Sequence, residues 1–469
     1  MDTTYPSDKI GWLVFSAIIG VLSVWSVFAL AEFAGVFLFV LGVIPVLIYA
    51  IFKEKALISY ALIFFSLLTF DQEAGTNVQE ALYYVLIAGS VAMILPWLFV
   101  RATITLSQGV DKAYLIFFFF LLYAVVLGFL MGGVMKHRID DIALMFPIFT
   151  YFIFRDHLKD DKKIRNVLII LVVMMLIIAL RNYRNYQQIL VEAVMEWQVQ
   201  KARVAKNEVF LMAGAVGFFI LQAYQSKWVP RLFYLGMFSF MFGGLILTQS
   251  RGYWLAFILA VAVFLFFADS RSRYRAILTT TILGSFGLII AFIFYYDGMM
   301  TVLQGLIYRF SLTGGGAIDP SLLERVYESQ NVFEKILKNP IAGYGVGVPY
   351  SRYSVIAGFW GPSSYVHNGY LAIWYKTGLF GLLAALAYLI MIARTGFRLH
   401  KYASSALART VGMIVLCQIT GMMLVNITSP QFLGFDSMLL LSLMGVLVAS
   451  LSDRHESKPV ATTSEVQVN

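Results

Sequence analysis

Charge is scarce in this chain of 469 residues: Asp, Glu, Lys and Arg together make up 13% of it, while apolar residues reach 60%. Soluble domains carry about 25% charged and about 45–50% apolar residues. No single soluble core grows large enough to hide so much apolar chain, which excludes a soluble enzyme and a disordered protein alike. Cysteine is nearly absent. Cys417 stands alone, so a disulfide framework, a thiolate zinc site and an iron–sulfur cluster are all ruled out. Histidine occurs five times, with no His-Glu-x-x-His pattern and no paired acidic motif, so no catalytic metal site is legible. No Gly-x-Ser-x-Gly elbow, internal repeat or low-complexity segment is present.

What remains is apolar and aromatic. A spanning helix needs about 20 mostly apolar residues, and charge-poor runs give fourteen candidates. They lie near 11–30, 33–52, 56–70, 81–100, 113–133, 141–154, 166–180, 207–225, 232–248, 253–268, 276–296, 370–393, 410–428 and 436–452. The first is longer than a signal-peptide core and reads as a retained span. The expected fold is all-α: a polytopic membrane protein of about 12–14 transmembrane helices, with one large external loop containing short helices. With the N-terminus cytoplasmic, 21 of the 35 basic residues fall on the inside, as the positive-inside rule requires. The net charge of +9 is thereby accounted for, and no nucleic-acid partner is expected. The division that follows is 1–296 for the first eleven spans, 297–366 for the external loop, 367–452 for the last helices and 453–469 for a polar tail.

Two outer segments stand apart. The external loop has five acids and five bases and a helical-looking stretch near Ser321–Leu337; loops this long are usually ordered or functional. The segment Arg181–Lys206 carries Ile189, Val191, Val194, Met195 and Val199 among polar residues, the pattern of an amphipathic helix on the membrane face.

Ionisable groups at a membrane edge are functional candidates because burying them is costly. Arg251, in Thr248-Gln249-Ser250-Arg251-Gly252-Tyr253-Trp254, sits in a tight hairpin. It reads as an anion clamp, since the guanidinium fork matches phosphate oxygens, or as an anchor snorkelling to lipid headgroups. Arg325, in Leu323-Glu324-Arg325-Val326-Tyr327, reads as a second clamp or as an exposed helix charge. His367 opens His367-Asn368-Gly369-Tyr370-Leu371, where the loop returns to the membrane. Histidine titrates near neutrality and can take a proton from a hydroxyl; a structural histidine is the alternative. The other histidines, His137, His157, His400 and His455, lie beside charge runs and read as solvated. The run Asn339-Pro340-Ile341-Ala342-Gly343-Tyr344-Gly345-Val346-Gly347 lacks the Lys-Ser/Thr ending of a nucleotide loop. It reads as a helix stop followed by a turn that lets backbones approach closely.

From Thr248 to about Thr395, the set resembles the O-antigen ligase and polymerase superfamily of bacterial envelope glycosyltransferases. The matching elements, in order, are Ser250-Arg251-Gly252 with Trp254, Glu324-Arg325, the Asn339–Gly347 turn, His367-Asn368-Gly369-Tyr370-Leu371 and Lys376-Thr377-Gly378-Leu379-Phe380-Gly381. The resemblance implies an enzyme of the bacterial inner membrane with its active site facing the periplasm or exterior. Its implied reaction is a metal-independent, inverting transfer of a glycan from undecaprenyl pyrophosphate to a hydroxyl acceptor, with no cofactor. The acceptor would be a lipid A core or another glycan, and membrane lipids surround the site. By the same resemblance, His367 acts on the acceptor while Arg251 and Arg325 hold the pyrophosphate. Asn368 and Tyr370 are further candidate substrate contacts. Arg181 or Arg184 is a candidate third phosphate contact, or part of a solvated face. A lipid-linked glycan transporter or flippase is the alternative reading, and it predicts internal repeats and midplane charges.

Overall fold

The computed structural model describes residues 56–66, 83–90, 108–192, 207–294, 300–305, 320–354 and 358–456, with isolated positions between them. The candidate spans at 11–30 and 33–52 lie outside the described residues. The protein is an all-α, multi-pass membrane protein. Six of its described helices are long and apolar enough to cross a bilayer: Gly109–Leu130, Asp161–Glu192, Trp228–Leu247, Gly369–Tyr402, Ala406–Val425 and Phe435–Arg454. Glu208–Tyr224 and Arg251–Phe267 are shorter apolar helices of the same bundle.

We number the elements used below in chain order. They are α1 (Gly109–Leu130), α2 (Asp161–Glu192), α3 (Glu208–Tyr224), α4 (Trp228–Leu247), α5 (Arg251–Phe267), α6 (Pro320–Lys338), β1 (Tyr350–Ser354), β2 (Phe359–Ser363), α7 (Gly369–Tyr402), α8 (Ala406–Val425) and α9 (Phe435–Glu456).

Two expectations are corrected. The run 166–180 is not a short span that stops at Arg181. One helix of 32 residues, α2, carries the run and continues through Ile189 and Val191 to Glu192, while Val194, Met195 and Val199 lie outside the described residues. At about 1.5 Å per residue it is roughly 48 Å long, well beyond a hydrocarbon core of about 30 Å. Arg181 and Arg184 end the apolar run but not the helix. The run near 141–154 is likewise not one helix: Met135–Met145, a 3₁₀ turn at Phe146–Phe149 containing Pro147, and Thr150–His157 follow one another. Together they traverse the bundle. Asp141 accepts the Gly347 N–H at 2.7 Å at one end, and Arg155 bonds Asp453 at 2.6 Å at the other.

That far end is held by a buried ionic network. Arg155 grips Asp111 with Nε and Nη2, both at 3.0 Å, and donates to Ser450 at 3.1 Å. Tyr151 donates its hydroxyl to the same Asp111 at 2.7 Å. Charges taken out of water are tolerable only when fully hydrogen-bonded, and here each oxygen of Asp111 has two donors, Gln108 N–H completing the set at 3.1 Å. His157, expected to be solvated, is instead buried and bonded to Ser59 at 2.7 Å.

The opposite end is where α3, α5, α7 and α9 all begin. Asn207 there bonds Asp436. Tyr253 and Gln431 exchange hydrogen bonds, and Gln431 N–H donates to Asn426 at 2.8 Å. The Gly369 N–H donates to the Asn426 carbonyl at 2.7 Å. We call this end the mouth.

α7 is broken there. Gly378 has φ 73° and ψ −179°, a conformation open essentially only to glycine. A Cβ at Gly378 would lie 2.0 Å from the Ile341 carbonyl oxygen. Breaking a helix frees backbone groups, and inside a bilayer they must find partners. The glycine turn supplies them. Tyr344 and Gly345 N–H donate to the carbonyls of Tyr375 and Lys376 at 2.8 and 3.0 Å, and Leu379 N–H donates to Pro340 at 3.0 Å. Gly345 at φ 84° presses on Gly128 of α1 so closely that a Cβ would meet its N at 2.1 Å. Lys376, fully buried, donates to Asp141 at 2.5 Å and to the Ser364 carbonyl at 3.1 Å. The turn is a wedge that closes the broken helix.

Candidate active site

α6 brings the mouth its carboxylates. Glu324, Glu328, Val332 and Ile336 are its buried positions, four residues apart and hence on one face. Val332 and Ile336 join the main apolar core, while Glu324 and Glu328 stand higher on the same stripe. Phe333 meets Trp374 of α7 with ring centroids 6.0 Å apart, and Trp374 Nε1 donates to Pro340 at 2.9 Å. α6 therefore runs down beside the first turns of α7, and its carboxylates come level with His367.

Glu328 takes hold of His367 twice. Its Oε1 accepts the His367 backbone N–H at 2.5 Å, and its Oε2 lies 2.8 Å from Nδ1. The carboxylate is fully buried, whereas the histidine is half-buried. With Glu328 ionised, Nδ1 carries the proton and Nε2 keeps its lone pair, the arrangement in which a carboxylate orients an imidazole base. Arg352 of β1 closes the set. Its Nη1 lies 3.3 Å from Glu328 and its Nη2 donates to Glu324 at 2.6 Å.

Beside them Tyr365 meets the His367 ring edge to face, centroids 4.9 Å apart. Its phenol pKa is pushed up to about 12, first by desolvation and then by the Glu328 carboxylate, with Arg325 and Arg352 acting to lower it. Arg325 is thus within electrostatic reach of the group packed on His367. It is half-buried and sits between the two positions of the acidic stripe.

Arg251 is the half-buried first residue of α5, after the Ser250 N-cap. The next residue, Gly252, is so close to the Asn426–Gln431 turn that a Cβ would lie 2.7 Å from Thr428 Oγ1. Gly369 contacts the same turn, where a Cβ would collide with Asn426. Arg251 and His367 therefore lead into helices seated on one shared turn. Glu208 acts electrostatically on both Tyr253 and Tyr365.

Asn368 caps α7, its side-chain oxygen accepting from Tyr370 and Leu371 N–H at 3.0 and 3.1 Å. Tyr370 donates its hydroxyl to the Met423 carbonyl at 2.7 Å. Both hold the helix start beneath His367. Arg181 and the exposed Arg184 flank Tyr183, which stacks on Phe240 of α4 at 5.1 Å and donates to its carbonyl at 3.0 Å. They stand on the wall whose end leads into Arg251. The positions that sequence reasoning missed are Glu328, Arg352 and Tyr365. Glu328 had one signal, its place four residues after Glu324; Arg352 had none.

Among the described residues no cluster of three or more His, Cys, Asp or Glu side chains could hold a metal ion. Residues 236–386 match the family model described as O-antigen ligase. The matched stretch contains Arg251, Arg325, Glu328, Arg352, His367, Asn368 and Tyr370. No curated protein matches the chain.

Proposed function

We propose, from the match of residues 236–386 to the family model described as O-antigen ligase, that this chain is a member of the O-antigen ligase and polymerase superfamily and transfers a glycan from undecaprenyl pyrophosphate to a hydroxyl acceptor. The site faces the periplasm or exterior of a bacterial inner membrane, and the reaction inverts the anomeric centre. His367 Nε2 takes the proton of the acceptor hydroxyl as its oxygen attacks the anomeric carbon. The bond from that carbon to the pyrophosphate oxygen breaks, and the electron pair leaves with undecaprenyl pyrophosphate. Arg251 and Arg325, with the N-terminal ends of α5 and α7, carry positive charge to the group on which negative charge develops. The donor already holds the driving force, so neither nucleotide nor metal enters the step.

The observation that carries this reading is the double hold of Glu328 on His367. A surface histidine with a merely structural role has no need of a buried carboxylate on both its backbone and its ring. The glycine run supports it from the other side, because its N–H groups from Gly343 to Gly347 are taken by Asn339, α7, Ala124 of α1 and Asp141 and leave no nucleotide loop. The external loop of 297–366 acts in this reading as the cap of the site.

The test is transfer of labelled glycan from undecaprenyl pyrophosphate to acceptor by the purified chain in liposomes, without nucleotide and with EDTA. Turnover by the wild type and its loss in His367→Gln support the reading. Turnover in His367→Gln within threefold of wild type overturns the base assignment. Movement of intact lipid-linked glycan across the bilayer without transfer would make the chain a flippase.

A further inference from the structure

Next to the base lies a short surface of unusual composition. β1 and β2 pair antiparallel with Tyr353 opposite Trp360 and Arg352 opposite Gly361. Nine of the twelve described positions in 350–354 and 359–365 are Tyr, Ser, Trp or Gly, and no charged residue occurs between Arg352 and His367. This is the make-up of a recognition surface, in which rigid aromatic rings give contact area and small hydroxyls adapt. The rings form a ladder. Trp360 meets Tyr353 with centroids 5.4 Å apart, and Tyr353 meets Tyr327 of α6 at 6.0 Å. Trp360 is 60% exposed and Tyr327 39% exposed, so their faces are open. The ladder is also fixed to the chemistry, because Arg352, between Tyr353 and Ser351, bonds the carboxylate that holds His367.

We propose that the ladder Trp360–Tyr353–Tyr327 is a subsite for pyranose rings of the acceptor glycan, an inference that rests on the reading of His367 as the acceptor's base. Sugar rings turn patches of weakly positive C–H bonds to the negative face of an aromatic quadrupole, and their hydroxyls pair with serine and tyrosine hydroxyls around it. The acceptor is favoured over the donor because the surface begins at His367. It is favoured over the bilayer because membrane-binding surfaces back their aromatic residues with cations for lipid phosphates. The single cation of these strands, Arg352, is engaged by Glu324 and Glu328.

The test uses the full chain in phosphatidylethanolamine–phosphatidylglycerol nanodiscs. The probe is a soluble oligosaccharide released by mild acid from the host's own surface polysaccharide. Trp360→Ala and Tyr353→Ala each weaken its binding by about 3- to 10-fold and raise acceptor KM by the same factor, whereas Tyr353→Phe stays within twofold. Unchanged binding and acceptor KM overturn the proposal, as does a rise in donor KM instead. A spin label on Ser354→Cys, with the buried Cys417 left in place, reads the environment of the ladder. Accessibility to a water-soluble nickel chelate supports the proposal, and accessibility to oxygen alone places the strands in lipid and overturns it. A wild type that binds the oligosaccharide but transfers nothing keeps the ladder and removes the reading it rests on.

Discussion

Replacing Glu328 by glutamine separates orientation from packing in one atom. The side chain keeps its shape, but one of its two oxygens becomes an NH₂ donor. Oε1 faces the His367 backbone N–H at 2.5 Å, a donor that cannot change. The amide oxygen must therefore take that side, which turns the NH₂ toward Nδ1, 2.8 Å away in the native site. Nδ1 must then accept, the ring proton moves to Nε2, and the lone pair that faces the acceptor is lost. General-base catalysis is worth about 10²–10⁴-fold, or about 2.7–5.5 kcal/mol, and kcat should fall by that factor. Donor KM should stay within about threefold, because Arg251 and Arg325 are untouched. Glu328→Asp keeps the charge and should recover part of the rate. The assay is single-turnover transfer of labelled glycan in liposomes, normalised to folded protein by size-exclusion chromatography. A Glu328→Gln rate above one third of wild type, alongside a dead His367→Gln, would refute the orienting role.

Arg251→Lys and Arg325→Lys should each slow transfer at least tenfold, because a point charge does not reproduce the guanidinium fork; kcat/KM for the donor reads it. Tyr365→Phe should leave the alkaline limb of the pH–rate profile in place up to pH 10. The phenol, with its pKa raised to about 12, keeps its proton until the medium is far more alkaline, so a limb that vanishes in Tyr365→Phe contradicts this. Lys376→Met strands Asp141 as a buried carboxylate with only the Gly347 N–H for a donor, a loss of about 3–5 kcal/mol for a broken buried pair. Thermal melts in detergent should show it, and Asp141→Asn in the same chain should restore part of the loss. Gly378→Ala should abolish accumulation of folded protein, since both its φ of 73° and the contact with Ile341 forbid a side chain.

The helical fold was legible because hydropathy reports burial in lipid directly, and His367 and Arg251 stood out as candidates because an ionisable group at a membrane edge demands an explanation. Helix ends were less so. Arg181 marks where the apolar run stops, but intrahelical hydrogen bonds continue through Glu192; a membrane boundary and a helix boundary obey different physics. The strands Tyr350–Ser354 and Phe359–Ser363 were not foreseen inside an all-α chain, being five residues each, the second interrupted by Gly361 and Pro362. Glu328 and Arg352 escaped because their roles exist only in the folded state. The first is one acid among five in the loop, and its importance comes from a histidine 39 positions away.

The wedge of glycines under α7 limits how this protein can be cut and recombined. A loop that merely capped the bundle could be exchanged between relatives like a lid, with junctions placed at its two membrane edges. Here Gly343 lies against Gly378, Gly345 against Gly128, and Gly347 against Arg138, so three distant stretches are shaped to one turn. A graft of the loop that left any of them behind would put a side chain where backbone now passes. The transferable unit for chimeras is the loop together with the ends of α1, the Met135–Met145 helix and the first half of α7. The loop can then be exchanged only by moving a piece of the membrane bundle along with it.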